Sequence, residues 1–434
     1  MANIDVIHTT LGTEVSSSST SFTEVVESDD LVDGSTYYVI CHALCEGSTN
    51  SDTYEWRLYD NTNGEVVEGS TMKREPATAN KTQSYTFVGK VVAGASGGGV
   101  AFEQKSPALL KTVKTQFVSM VFMELSNLQS SDYFFDSDFA DEENTDEWAA
   151  TLSQIVATPT SGDTWLVMGW VSTEVSSVTE QSEMRLHKED DVATTLTPTI
   201  SYEGEANREY LNWWVCRAYV TDDSSTRYQV QVRDSADIVE NNNTLGTSIF
   251  GLRLNAFENF AANYTDAATT TTATSWQEID SLELTPDSTN TVVAIASAVF
   301  EPETTGRPAL ARLQVDGATS PNSQANTYHS ARSNDGGDLL PLPYVTTYSG
   351  SADTEATIDF DTKKTTSADI GWKEYSVAAF STVIAETETA PVNYSAIASQ
   401  TFSSGDVASQ AYNSGDVASH TFGSGDVASE VNPS

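Results

Sequence analysis

Cysteine is scarce in this chain of 434 residues: Cys41, Cys45 and Cys216 are the only three. That number is odd and far too small for a disulfide framework. Basic residues are scarce as well, with Lys and Arg totalling 21 against 62 Asp and Glu, a formal net charge of −41. A polyanion of this size repels phosphate backbones and anionic headgroups, so neither nucleic acid nor a membrane surface is an expected partner. Long apolar runs are missing too. The longest, residues 117–125 and 292–300, fall well short of the ~18 residues that suggest a membrane span. Residues 1–6 hold neither a basic n-region nor an apolar h-region, so no signal peptide is expected. Helical periodicity is absent over any stretch longer than about two turns.

What the chain has in abundance is hydroxyl: Ser and Thr make up about a quarter of it, well above ordinary usage. Hydrophobic residues are 38% and charged residues 19%, so this is a folded protein and not an acidic tail. The acids are spread along the whole length. That distribution fits salty surroundings, marine or hypersaline, better than one acidic binding patch, because salt screens the self-repulsion.

Three segments share one order of strand-like runs. They open at Phe22, Trp148 and Trp276, 126 and 128 residues apart. Each continues with an apolar run (36–44, 164–171, 291–300) and then a strand carrying an Arg-Leu pair: Arg57-Leu58, Arg185-Leu186, Arg312-Leu313. Further runs follow, and a long strand closes each unit. The runs are short, β-branched or aromatic, and bounded by turn residues. This predicts an all-β protein of three tandem antiparallel β-sandwich, jelly-roll-like domains at 22–129, 148–260 and 276–383. An N-terminal arm (1–21), an acidic linker (130–147) and a Thr/Ala-rich linker (261–275) are expected between and before them. The unbroken run at 291–300 predicts a strand covered on both faces.

Residues 384–434 form a different kind of repeat. QTFSSGDVAS, QAYNSGDVAS and HTFGSGDVAS follow one another with a period of ten. Within these three decapeptides Phe402, Tyr412 and Phe422, with Val407, Val417 and Val427, are the only sizeable apolar side chains. One copy of such a rung buries too little to be stable alone, so these six residues are the expected assembly contacts with neighbouring chains, as a solenoid or an extended strap.

Sites for chemistry are few. Gly94-Ala95-Ser96-Gly97-Gly98 matches the pattern of a hydrolase nucleophile elbow, which needs a strand before it and a helix after it; a strand, Val100-Ala101-Phe102, is expected to follow instead. Cys41, His42 and Cys45 fall in one strand, where the two thiols would be ~13 Å apart, too far for one zinc ion. His8, His187, His329 and His420 show no metal spacing. Asp136, Asp138 and Asp141 offer oxygen ligands of the kind Ca²⁺ takes, yet lack the Gly and distal Glu of an EF-hand. Trp165, Trp170, Trp213, Trp214 and Trp372 could stack on sugars, but their strand positions favour core packing. No catalytic site is expected, and no cofactor unless Ca²⁺.

A tandem β-array whose units open on an aromatic and close on a strand such as residues 247–257 (TSIFGLRLNAF) resembles the virion appendage proteins of tailed viruses, at the level of architecture over residues 22–383. The resemblance implies a structural virion protein: a homo-oligomeric head decoration, turret, tail fibre or spike. Its implied partners are other virion proteins and a host surface glycan or protein. Release by host lysis would account for an exposed protein without an export signal. The alternative is a cell-surface adhesin or carbohydrate-binding array.

Overall fold

The computed structural model describes residues 3–385 apart from 51, 75–78, 81, 96, 140–141, 144–146, 156–161, 176–180, 190–193, 198, 204–208, 222–226, 235–242, 267–268, 303–307, 317, 320–328, 331–339 and 365–369, and beyond them 407–411 and 427–431. Residues 1–385 form one compact unit and 386–434 a second.

The first unit is ten strands used three times. The first set is β1 (Val6–Leu11), β2 (Val15–Ser17), β3 (Thr23–Glu27), β4 (Thr36–Gly47), β5 (Tyr54–Asp60), β6 (Glu65–Val66), β7 (Met72–Arg74), β8 (Gln83–Val92), β9 (Val100–Lys105) and β10 (Val113–Glu124). The second is β11 (Tyr133–Asp138), β12 (Glu142–Glu143), β13 (Ala149–Ile155), β14 (Thr164–Val175), β15 (Gln181–Glu189), β16 (Thr194–Thr195), β17 (Ile200–Glu203), β18 (Glu209–Val220), β19 (Arg227–Asp234) and β20 (Asn243–Arg253). The third is β21 (Phe260–Thr265), β22 (Thr269–Thr271), β23 (Gln277–Leu284), β24 (Asn290–Pro302), β25 (Pro308–Val315), β26 (Ala318–Thr319), β27 (His329–Ser330), β28 (Leu340–Gly350), β29 (Ala356–Lys364) and β30 (Ile370–Ser381).

In the first set an inner sheet runs β1-β10-β4-β8, with β2 also on β10, and an outer sheet runs β3-β9-β5-β6, with β7 also on β5. Adding ten or twenty to every label gives the sheets of the second and third sets. Two antiparallel layers crossed in this order are a jelly roll. The only helical turn among the described residues is a 3₁₀ turn at Leu254–Ala256.

The arm and both linkers are corrected by this pairing. β1 and β2 lie within residues 1–21 and pair with β10. β11 and β12 lie within 130–147 and pair with β20; β21 and β22 begin at Phe260 and pair with β30. Each jelly roll therefore starts about fifteen residues before its aromatic. These are edge strands of half-buried residues. An edge needs backbone partners on one side only and tolerates polar side chains, so its composition imitates a loop.

The inner sheets are apolar on both faces. Along β4, Tyr37, Val39, Cys41, Ala43 and Cys45 point into the first sandwich, while Tyr38 and Ile40 point out of it into a second core. β24 does the same, with Val292, Ala294, Ala296 and Ala298 on one side and Val293 and Ile295 on the other. Fifteen side chains of this central core occupy five strand positions, each repeated once in every jelly roll. They are Tyr38, Leu166 and Val293; Ile40, Met168 and Ile295; Val88, Cys216 and Val345; Val121, Phe250 and Ala378; Met123, Leu252 and Phe380. The three inner sheets thus face one another around a pseudo-three-fold axis. Exposing the Met123, Leu252 and Phe380 set would cost roughly 5–9 kcal/mol at ~1.5–3 kcal/mol per side chain.

Candidate functional site

The seams between jelly rolls repeat one arrangement, in which the eighth strand of each set packs on the inner sheet of the next. At the first seam the Trp170 indole N–H donates to the Thr86 carbonyl at 2.8 Å and to Asn212 Oδ1 at 2.7 Å, and the Tyr38 and Phe250 rings stack with centroids 3.9 Å apart. At the second, the Ala218 N–H donates to Ser376 Oγ, and the Arg217 guanidinium lies 3.6 Å from the Tyr264 ring centroid. The Tyr264 hydroxyl in turn donates to Glu374 Oε2 at 2.6 Å. Burial pushes the Glu374 carboxyl up to about 8, against the smaller pull of Tyr264 and Arg217.

The third seam closes the ring. His8 lies within 2.9 Å of both Ser119 Oγ and Thr347 Oγ1, and the His42 imidazole stacks on Tyr344. Burial lowers both imidazoles to about 4. Both histidines therefore serve as neutral packing groups, and neither belongs to a metal-ligand cluster among the described residues.

A second three-fold feature lies on the outer sheets. Phe22, Trp148 and Trp276 each sit directly before the third strand of their set, opposite a cation on the ninth: Lys105, Arg233 and Lys363. The Arg of each Arg-Leu pair approaches the same ring: Arg57 Cζ is 3.7 Å from the Phe22 centroid, Arg185 4.1 Å from Trp148 and Arg312 4.4 Å from Trp276. Six of the 21 basic residues are spent on these three places. The Arg also pairs across the sheet, with Glu103 in the first jelly roll and Asp361 in the third. In the second, Gln231 occupies that position.

The sequence marks the aromatic and the Arg-Leu pair but leaves the ninth-strand cation unread; its signal is a second charge two residues past the cross-strand partner.

Other sequence candidates fall as follows. Asp136 and Asp138 lie in β11, paired with Ile249 and Thr247, and Asp141 is outside the described residues. No cluster of three metal-ligating side chains occurs among the described residues. The segment holding Gly94, Gly97 and Gly98 joins strand β8 to strand β9 with no helix after it, and Ser96 is outside the described residues. Gly97 and Gly98 have φ of 70° and 107°, so a turn is what these glycines supply. Cys41, Cys45 and Cys216 are free and buried, and burial pushes all three thiols up. Trp165, Trp170, Trp213, Trp214 and Trp372 are all buried, which removes them as sugar platforms.

In the second unit, β31 (Val407–Ala411) and β32 (Val427–Val431) pair in parallel, Val407 opposite Val427. The offset of twenty residues is two decapeptides. Phe402, Tyr412, Val417 and Phe422 lie outside the described residues.

No known protein family matches the chain, and no curated protein does. Among solved structures it is similar to a triple-jelly-roll turret protein of an archaeal virus, at 12% identity, TM-score 0.19, over 85% of this chain and 82% of that one. The VP2 subviral particle of infectious bursal disease virus is matched at 6% identity, TM-score 0.21, over 87% and 80%. A tandem CBM22 pair from Paenibacillus barcinonensis Xyn10C is matched at 8% identity, TM-score 0.18, over 56% and 92%. These likenesses assign no family to the chain.

Proposed function

We propose that this chain is a structural virion protein, a building block of the head-decoration, turret or tail-appendage kind found on tailed viruses, assembled in the host cytoplasm and exposed on the particle. The closed ring carries this reading. One chain supplies three jelly rolls, buries their inner sheets against one another and turns the outer sheets outward. Such a piece has satisfied its own apolar faces before it meets a particle, and it can be added whole. The tail is the expected link to other copies: an isolated two-stranded ladder is marginal in water, and a neighbouring chain's decapeptides would extend it. Further partners are other virion proteins and a host surface glycan or protein.

The test is to purify particles on a density gradient and search them for this chain by mass spectrometry and immunogold labelling. Peptides in the particle band and gold on its surface are expected. A chain confined to host membranes or cell walls would overturn the reading in favour of a surface adhesin.

A further inference from the structure

The three outer-sheet clusters are equivalent in geometry but not in charge. In the first jelly roll both cations have carboxylate partners, Arg57 with Glu103 and Lys105 with Glu55, each at 2.6 Å. In the third, Arg312 meets Asp361 at 2.7 Å, and burial, with Asp359 and Asp361 alongside, raises the Glu278 carboxyl. The second keeps the pair made by the ninth-strand cation, Arg233 with Glu183 as Lys105 with Glu55, and differs around Arg185. Its third strand, β13, reads AATLSQI and holds no acid, whereas β3 carries Glu24 and Glu27 and β23 carries Glu278, Asp280 and Glu283. Where β9 and β29 place Glu103 and Asp361, β19 places Gln231, and where β29 places Asp359 it places Gln229. Glu183 serves Arg233, while Arg185 gives its Nε to the neutral Gln231 oxygen at 2.7 Å. Both guanidiniums lie against Trp148, at 4.1 and 4.4 Å from its centroid.

A chain of charge −41 has thus kept two arginines side by side on an outer face, with one carboxylate, Glu183, between them and Gln231 where the acid that neutralises Arg57 or Arg312 stands. We infer that Arg185, Arg233 and Gln231, beside the half-buried Trp148, form a binding site for an oxyanion, the sulfate or carboxylate of an acidic sugar. Guanidinium forks match such oxygens in geometry and hold them by charge-assisted bonds. The Gln231 amide, which accepts from Arg185 Nε and donates to Gln229 Oε1 at 2.8 Å, keeps the position neutral, and the indole offers an apolar edge to the sugar ring. Mutual repulsion supports the assignment: burial and the neighbouring Arg233 lower the Arg185 guanidinium, and a bound anion relieves both arginines. The site stands on the second jelly roll's own residues and does not depend on the virion reading.

The experiment is calorimetric titration of the full chain at low ionic strength with sodium sulfate, dextran sulfate and neutral dextran. Sulfate and dextran sulfate should bind at one site per chain and dextran should not. Stronger binding of the polymer than of free sulfate would identify the sugar-borne anion as the ligand; equal affinity would mean a site for the inorganic ion and overturn the sugar assignment. The decisive variant is Gln231→Glu, which installs the acid the sister jelly rolls already carry at this position. It should weaken binding at least tenfold with no change in melting temperature, while Arg57→Gln in the first jelly roll leaves binding unchanged. No binding by the wild type, or equal binding by Gln231→Glu, would overturn the proposal.

Discussion

The His42 ring of the first jelly roll stacks on the Tyr344 ring of the third, centroids 5.9 Å apart and planes 26° from parallel. These residues lie 302 positions apart in the chain, and with His8 they hold the one seam that no neighbouring strand connection enforces. Charging either imidazole would therefore work against the apolar contacts that, with the Ile4 N–H to Thr382 carbonyl bond, close this seam.

Acid should open this seam first. Both histidines are lowered from 6.5 to about 4, so the unfolded chain binds more protons between those values. Their contribution is complete above pH 6.5 and is lost as the pH falls through 4, to the extent of about 3 kcal/mol per histidine. Protonating carboxylates relieves the −41 self-repulsion and works in the opposite direction, so the comparison must be with a variant. Thermal melts from pH 7 to 4 should show a shallower fall for His42→Phe, which keeps a ring against Tyr344, than for the wild type. Parallel curves would refute the role of His42.

Alkali should weaken the second seam. Glu374 is raised to about 8, so the folded chain retains a proton that the unfolded chain gives up near 4.5. Its stabilisation is fully present below 4.5 and disappears as the pH rises through 8. Glu374→Gln keeps an acceptor for the Tyr264 hydroxyl without the titrating proton. Its melting temperature should stay flat between pH 6 and 9 while that of the wild type declines.

Close packing around Phe134 gives a test of the second sandwich. A Cβ on Gly251 would stand 2.0 Å from Phe134 Cε1, and that ring is itself stacked on Tyr228. Gly251→Ala should cost about 1–3 kcal/mol in chemical denaturation. Adding Phe134→Leu should recover part of the loss, because the shorter side chain vacates the space.

The β class and the threefold repeat are legible from sequence because alternation and even spacing are local properties. The tyrosines of β4 alternate cleanly between Tyr37 and Tyr38, yet nothing in a single sequence says that Tyr38 meets Phe250 rather than another sheet. β1, β11 and β21 escape notice for a different reason. Their side chains lie half in solvent, and only the ladder to β10, β20 and β30 makes them strands. The outer cluster was half visible: Trp148 and Arg185 mark a repeat in the sequence, whereas the exchange of Glu103 for Gln231 gains meaning only when both occupy one register position.

The tail offers the last prediction, and its register makes it specific. Fifteen residues separate Ala411 from Val427, enough for the crossover of a dozen or more that parallel neighbours need. Removing one decapeptide, residues 412–421, leaves five, too few to return the chain to the start of a parallel strand. That deletion should therefore act like removal of residues 400–434, although it keeps most of the repeat's composition. Both should weaken oligomers or particle attachment, measured by light scattering at high salt and by pelleting with particles, and both should leave the melting of residues 1–385 unchanged. A short deletion that assembles as well as the intact chain would show that composition alone matters and that the parallel ladder has no part in assembly.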